Sequence, residues 1–293
     1  MNGRDEEHTL QEVADELGVH YMTIYRYVRL GMLPAHKVGS TWRVHAADVV
    51  AFRKAKQASP SAGRTRQFDP VRWVGRLEAR LVAGDANGAW SALEAAMASG
   101  AEVEQLYLDV ITPALVSIGE RWARGELDIA DEHRASALTG RLLGRLGPRF
   151  TRPGRTHGSV VLGATPGDSH GLPVALLADL VTGQGYEVID LGADVPTPSF
   201  VHAAQGAARL VAVGVAVTAP GLDAAVATTV EALHDGVPGV PVVVGGSAIV
   251  DRDHAVELGA DAHASDGRAF IRLLSRLDAE AAHRRVQAKP ASS

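Results

Sequence analysis

Cysteine is absent from this 293-residue chain, and aromatic residues make up only 5% of it. Without a thiol, the chain cannot form a disulfide framework, an iron–sulfur cluster or a thiolate zinc site. It also lacks an apolar run of the roughly 18 residues that a membrane span needs, and its first residues lack the apolar core of a signal peptide. We therefore expect a cytoplasmic protein with no membrane contact.

Charge is distributed unevenly along the chain. Residues 1–66 carry 10 of the 29 basic and 7 of the 34 acidic side chains, which leaves 19 and 27 for the remainder. A basic segment joined to an acidic body is typical of a protein that contacts nucleic acid through one domain. Because the basic surplus is small, we expect tight binding to need several copies of the chain.

Residues 9–44 carry the spacing of a helix-turn-helix followed by a hairpin. A capping box at Thr9–Glu12 opens one helix, and residues 20–30 predict a second helix whose polar, partly basic face suits a major groove. Residues 36–44 predict a wing that brings basic side chains near phosphate. The side chains predicted to contact double-stranded promoter DNA are Thr23, Tyr25, Arg26, Arg29, Lys37 and Arg43.

Two of these segments, Thr23–Arg29 and Trp42–Val44, resemble the winged helix of MerR, excisionase and BldC-type regulators. The resemblance implies a DNA-binding domain. A small winged helix that binds another protein is the alternative.

Residues 70–147 repeat apolar side chains at spacings of three and four, with few strand formers between them. This periodicity predicts four packed helices. The positions that define it are Trp73, Leu77, Leu81, Trp90, Leu93, Met97, Leu106, Val110, Leu115, Ile118, Trp122, Leu138, Leu142, Leu143 and Leu146.

The segment Gly167–Pro173 is the most informative about chemistry. A neutral imidazole at His170 can ligate a metal through one ring nitrogen, while Asp168 accepts the other ring N–H. On its own, such a pair is more often a surface-loop histidine beside an aspartate.

The setting of this pair strengthens the metal-ligand interpretation. Valine-rich runs alternate with helical segments from residue 160 onward, and this alternation predicts a parallel sheet covered on both faces, with a short buried strand after Gly185. Ligands of such sheets bind at the carboxyl ends of the strands. His170 and Gly245–Gly246 both fall at strand ends, so we expect them to line one crevice.

Together with Thr218, these residues resemble the cobalamin-binding Rossmann-like domains of methionine synthase and mutase type. That family's pattern is Asp-x-His-x-x-Gly, then Ser-x-Leu or Ser-x-Thr, then Gly-Gly. The resemblance implies that His170 is the lower axial ligand of cobalt and that the dimethylbenzimidazole tail enters the sheet. A flavodoxin-like domain without a nucleotide is the alternative.

Two positions depart from this pattern, since Pro173 replaces the expected glycine and Ala216 the expected serine. We expect the tail pocket to be altered but not closed. The cofactor-binding residues predicted in this half of the chain are Asp168, His170, Gly171, Leu172, Ala216, Thr218, Gly245 and Gly246, with His170 as the metal ligand.

In the helical region, Trp122 is separated by nine residues from Glu132 and His133. This spacing resembles the bundle motif of the CarH/LitR light-dependent repressors, in which the bundle covers the upper face of adenosylcobalamin. The resemblance implies that Trp122 packs on the adenosyl group and that Glu132 and His133 contact its polar edge. A role in the helical core is the alternative for Trp122.

Photoreceptors of this family carry a histidine directly after the tryptophan, whereas this chain has Ala123. In those proteins, the histidine takes the upper cobalt position after light cleaves the cobalt–carbon bond. A methyl group cannot ligate cobalt, so His133 or water is left for that position.

These interpretations predict a multidomain α and α/β protein. The predicted parts are a winged helix-turn-helix at 1–57, a flexible linker at 58–67, a four-helix bundle at 68–150, a Rossmann-like (flavodoxin-like) parallel-sheet domain at 151–284 and a disordered tail at 285–293.

The expected function is that of a transcriptional repressor rather than an enzyme. We expect it to bind adenosylcobalamin, self-associate to a dimer or tetramer in the dark, and release promoter DNA after photolysis. One alternative is a regulator that senses cobalamin availability or uses a second chromophore. The other is a corrinoid enzyme component, either a methyl shuttle or a mutase subunit.

Overall fold

The chain forms two structural units, with the boundary between Gln67 and Phe68. The computed structural model describes residues 7–17, 21–29, 33–39, 41–58, 68–151 and 154–287. Among these residues, no helix combines the length and the apolar character that crossing a membrane requires.

The first unit contains a three-stranded antiparallel sheet in the order β1-β3-β2. Its elements are β1 (Glu7–Thr9), α1 (Leu10–Leu17), α2 (Tyr21–Arg29), β2 (His36–Val38), β3 (Thr41–His45) and α3 (Ala46–Ala58). The capping box is present, since Glu12 N–H donates to Thr9 Oγ1 at 3.2 Å and Thr9 N–H donates to Glu12 Oε2 at 2.7 Å. The predicted helix-turn-helix and wing are therefore confirmed.

The second unit begins with a helical bundle. Its elements are α4 (Pro70–Val82), α5 (Ala86–Ala98), α6 (Val103–Leu106), a π-helical turn (Tyr107–Ile111), α7 (Thr112–Ala123) and α8 (Ile129–Leu146). Because the π-helical turn joins α6 to α7, the described helices pack as the four predicted segments. Leu77, Leu93 and Leu138 are buried at their centre.

A five-stranded parallel sheet follows, in the order β5-β4-β6-β7-β8. The elements are β4 (Ser159–Ala164), α9 (Leu172–Gly183), β5 (Glu187–Asp190), α10 (Thr197–Gly206), β6 (Leu210–Ala216), α11 (Asp223–Gly236), β7 (Val242–Gly245), α12 (Arg252–Glu257), β8 (Ala262–Ala264) and α13 (Gly267–Gln287). Separate apolar clusters cover the two faces of the sheet. The predicted α/β fold is confirmed.

Three details of the prediction are wrong. Strand β5 is partly exposed rather than buried, because it forms an edge and pairs only with β4. Helix α13 continues through Gln287, so residues 285–287 belong to a helix rather than to a disordered tail. Helix α3 includes Ala58, which was assigned to the linker. The rest of the linker and residues 288–293 lie outside the described residues.

The π-helical turn connects the bundle to the sheet. Tyr107 Oη donates to Asp179 Oδ2 on α9 at 2.7 Å, and Arg268 Nη2 on α13 donates to both carboxylate oxygens of Asp109 at 2.8 and 2.9 Å. Burial raises the pKa of Asp179; the Tyr107 hydrogen bond opposes this and the charge of Asp190 adds to it. Ionisation of the Asp179 carboxyl therefore costs more free energy in the folded protein than in the unfolded chain.

We predict that Asp179→Asn increases the free energy of unfolding at neutral pH. Asparagine keeps an acceptor for the Tyr107 hydroxyl and removes the disfavoured charge. Because the folded-state pKa of Asp179 is raised, its stabilising contribution is present below the unfolded-state pKa and is lost as the pH rises through the folded-state value. The difference in the free energy of unfolding between the variant and wild type should therefore grow from about pH 4 to about pH 7, as measured by urea unfolding.

Tyr107→Phe serves as the control for that variant. It removes the donor and keeps the charge, so it should lower the free energy of unfolding by about 1 kcal/mol. A constant difference between Asp179→Asn and wild type across this pH range would contradict the assignment.

Candidate functional site

The loop after β4 is organised around the fully buried carboxylate of Asp168. Asp168 Oδ2 accepts from the backbone N–H groups of Thr218 at 2.5 Å and Ala219 at 3.3 Å, both in the loop after β6. Asp168 Oδ1 accepts from the His170 backbone N–H at 3.0 Å and lies 2.7 Å from His170 Nδ1. Burial raises the pKa of Asp168, but these hydrogen bonds outweigh burial and lower it overall.

This carboxylate sets the tautomer of His170. An ionised carboxylate only accepts hydrogen bonds, so Nδ1 carries a proton. In the neutral imidazole, Nε2 then carries the lone pair. Within the described part of the chain, no hydrogen bond to His170 Nε2 is present, and the side chain is 51% exposed. A neutral imidazole with an available Nε2, held by a buried aspartate, is the arrangement that metal-ligating histidines use.

A cavity of about 530 Å³ lies between the carboxyl end of the sheet and helix α7. Four of the predicted cofactor-binding residues line it: Ala216, Thr218, Gly245 and Gly246. Leu115 and Val116 of α7 line its other side. The structure thus brings the predicted residues from the ends of β6 and β7 together in one mostly apolar cavity. His170, which was expected to line the same crevice as the diglycine, is not part of this lining.

The cavity wall depends on glycine. A Cβ atom on Gly245 would lie 2.4 Å from Ala264 O, and one on Gly246 would lie 2.2 Å from Val217 O. Gly246 also has a φ of 118°, which side-chain-bearing residues rarely adopt. Gly163 and Gly214 line the same cavity, and a Cβ on either would meet neighbouring side chains closer than 3 Å. The diglycine is therefore required by the fold as well as by the shape of the cavity.

Trp122 lies near the end of α7 and is 46% exposed, whereas Trp73 of the same bundle is buried. The alternative role of Trp122 as a core residue is thus wrong. Its neighbour Ala123 is the last residue of α7.

Glu132 lies in the first turn of α8, where Oε1 accepts from Ser136 Oγ at 2.6 Å and Oε2 lies 2.7 Å from His133 Nδ1. Burial raises the pKa of Glu132, but the contacts with Ser136 and His133 outweigh burial and lower it overall. The ring of His133 is mostly exposed.

Seven predicted cofactor-binding residues lie outside the cavity lining: Trp122, Glu132, His133, Asp168, His170, Gly171 and Leu172. Gly171 precedes α9 as its N-cap residue, and Leu172 packs against the bundle core. Conversely, Ser247 and Ser265 line the cavity and were not predicted. Ser247 directly follows the diglycine, which was an available signal. Ser265 follows β8, whose sequence Ala-His-Ala has no strand pattern.

In the first unit, the hairpin register separates the two basic wing residues. Lys37 pairs with Trp42 and lies with its Nζ atom 5.5 Å from the centre of that ring, whereas Arg43 pairs with His36 and lies on the other face. Tyr25 packs partly against the domain core and stacks on Tyr21. The side chains of Thr23, Arg26 and Arg29 lie outside the described part of the structure.

Comparison with known families assigns both units. Residues 9–57 match the helix-turn-helix domain, and residues 73–146 and 158–273 match two models described as B12 binding domain. These matches fit a cobalamin-binding module fused to a helix-turn-helix domain.

Relatives of the cobalamin-binding module are corrinoid proteins. Trimethylamine corrinoid protein 1 of Methanosarcina mazei is 24% identical over 169 residues, which cover 57% of this chain and 78% of the relative. A corrinoid protein of Desulfitobacterium hafniense is 30% identical over 106 residues, which cover 33% of this chain and 49% of the relative. The chain thus spans about half the length of this second relative.

The fold of the module also occurs in a solved structure. The monomethylamine corrinoid protein of Methanosarcina barkeri superimposes with a TM-score of 0.62 at 17% identity, covering 71% of this chain and 99% of that one. At this identity, the likeness concerns the fold alone. The narrower resemblance to light-dependent repressors stays a prediction.

We predict that Gly246→Ala destabilises the second unit by about 1–3 kcal/mol, because the added methyl group meets the Val217 carbonyl and the backbone is strained. Gly75→Ala is the matched control. Gly75 lies within α4 with no atom near its would-be Cβ, so alanine there should stabilise by up to about 1 kcal/mol. Urea unfolding measures both; equal effects would show that Gly246 is not constrained.

Proposed function

We propose that this protein is a light-responsive, adenosylcobalamin-dependent transcriptional repressor and does not turn over a substrate. The observation that carries the proposal is the pair formed by Asp168 and His170, in a chain that also has a helix-turn-helix domain. Asp168 also accepts a hydrogen bond from the backbone N–H of Thr218, which lines the glycine-walled cavity. The cavity and the available Nε2 fit a corrinoid with a nucleotide tail.

In this proposal, His170 Nε2 would hold the cobalt, and Asp168 keeps the imidazole in the required tautomer. The cavity beside Ala216, Thr218 and the diglycine receives the nucleotide tail. When bound, adenosylcobalamin supplies a cobalt–carbon bond that green or blue light can cleave. The replacement of the family serine by Ala216 removes one hydroxyl from this wall without filling the cavity.

The upper side of the site is assigned to the bundle. Trp122 offers an exposed aromatic surface for the adenosyl group, and the Glu132 carboxylate can accept hydrogen bonds from ribose hydroxyls or the adenine amine. His133 lies at the same edge. Ala123 provides no nitrogen ligand, so on the bundle side the cobalt would be held by His133 or by water.

The winged helix-turn-helix supplies the output. We propose that the dark, adenosyl-bound chain associates to a dimer or tetramer and places several winged helices on promoter DNA. Arg43 and Lys37 would contact phosphates, and the second helix, with Thr23, Tyr25, Arg26 and Arg29, would face the major groove. Linkage requires adenosylcobalamin to bind the associated form more tightly than the monomer.

The corrinoid relatives favour a second candidate, a methyl-carrying component of a corrinoid enzyme. The Asp168–His170 pair would serve that function as well. It gives no role to the helix-turn-helix domain at residues 9–57, so we rank it second.

For the cofactor, we expect His170→Ala to shift the absorption spectrum of the bound cobalamin toward the form without a histidine ligand and to weaken binding. His234→Ala is a matched control, because His234 Nε2 also pairs with an aspartate, Asp261, at 2.9 Å, but Asp261 lies at the amino end of the sheet. The spectrum of that control should equal wild type. Identical spectra for both variants would remove His170 from the cobalt site.

For the regulatory function, the full chain is loaded with adenosylcobalamin, and duplexes are selected from random-sequence DNA in the dark. We expect green light to weaken binding to the selected duplex and to reduce the oligomer size measured by size-exclusion chromatography. Arg43→Ala should weaken binding to all sequences and lower the slope of affinity against salt by about one.

The outcomes of that experiment separate the candidate functions. Binding that depends on cobalamin but not on light would replace the light response with a sensor of cobalamin availability. Absence of DNA binding in both states would overturn the regulator and favour the corrinoid enzyme component.

A further inference from the structure

Three potential metal ligands lie on one face of the sheet in the first unit. Glu7 on β1 pairs directly with His45 on β3. His36 on β2 pairs with Arg43, two residues before His45, so alternation along β3 places all three ligands on the same face. Val44, which is buried in the domain core, points to the opposite face. The cluster is therefore on the outer side of the sheet, and its side chains are partly exposed.

The donor atoms of these residues already lie close together. His36 Nε2 is 3.0 Å from Glu7 Oε1, and His45 Nδ1 is 3.6 Å from the same oxygen. The three donor atoms all lie within 4.8 Å of one another, and the two imidazole rings are 4.9 Å apart. In a tetrahedral zinc site with bonds of about 2.0–2.1 Å, neighbouring donors are about 3.3 Å apart. The two shorter separations bracket that value.

We propose that Glu7, His36 and His45 form a binding site for a divalent transition cation of the zinc class. Two imidazoles and one carboxylate are ligands that zinc accepts, and a water molecule would complete the coordination. Among the described residues, no other group of three potential metal ligands has donor atoms this close together. All three residues belong to the first unit.

A bound cation would link the three strands of this sheet. β1 and β2 each contain three residues, and each pairs only with β3. Glu7 and His36 are on these two outer strands, and His45 is on the central one. Metal binding would therefore hold both short strands on β3 and stabilise the sheet that carries Arg43.

The test uses the full chain, free of cobalamin and treated with a chelator, titrated with zinc chloride in a calorimeter. We expect one saturable site that is lost in His36→Asn and in His45→Asn. Glu7→Gln keeps an oxygen and loses its charge, so it should weaken binding by at least about tenfold. Magnesium chloride should give no saturable binding, because magnesium prefers oxygen ligands.

His8→Asn is the matched control. His8 belongs to the same strand as Glu7 but pairs with the core residue Val44, so its side chain lies on the other face. Its zinc isotherm should equal wild type. A zinc-dependent rise in the thermal unfolding temperature, present in wild type and His8→Asn but absent in His36→Asn, gives a second readout.

Two results would overturn the site. One is wild-type protein without saturable zinc binding, which would leave an ordinary surface ion pair. The other is an unchanged isotherm in both His36→Asn and His45→Asn, which would place the bound zinc elsewhere. Circular dichroism confirms that each variant keeps its helical content, so a lost site can be distinguished from a lost fold.

Discussion

The buried carboxylate of Asp168 is the interaction on which the rest of the site depends. It accepts four hydrogen bonds from two loops that follow neighbouring strands, so it fixes the separation of those loops and the direction of one imidazole. A buried charge is costly unless it is fully hydrogen-bonded, and here the protein supplies every donor from its own backbone and from His170. The position and orientation of the His170 ring are thus fixed by contacts within the protein.

The second constraint is the close approach of backbones around the cavity. Strand β8 and the loop after β6 approach the diglycine closely: a Cβ atom on Gly245 would lie 2.4 Å, and one on Gly246 2.2 Å, from a carbonyl oxygen. This arrangement leaves space above the strands for an apolar ligand portion. The bundle completes the enclosure through α7, and hydrogen bonds from the π-helical turn hold the bundle on the sheet.

Much of this arrangement was readable from the sequence, and the reasons are physical. Periodicity revealed the four bundle segments and the parallel strands, because burial imposes it on long elements. The Asp168–His170 pair was readable because its contact is local. The partners of Asp168 at Thr218 and Ala219 lie about 50 positions away, so backbone donation from them had no sequence signal. Likewise, the composition of β5 indicates a strand, but only the order of the strands in the sheet shows that β5 lies at its edge.

The π-helical turn has a geometric consequence for the face that α7 presents. An α-helix advances about 100° per residue, so one extra residue in a turn rotates everything after it by that angle. Within the π-helical turn, Tyr107 and Ile111 are buried. Further along the chain, Val116 and Trp122 remain on the surface. Deleting a single residue here would leave the composition of α7 intact and aim its aromatic end in another direction. The orientation of Trp122 therefore depends on the number of residues in the π-helical turn rather than on any one side chain.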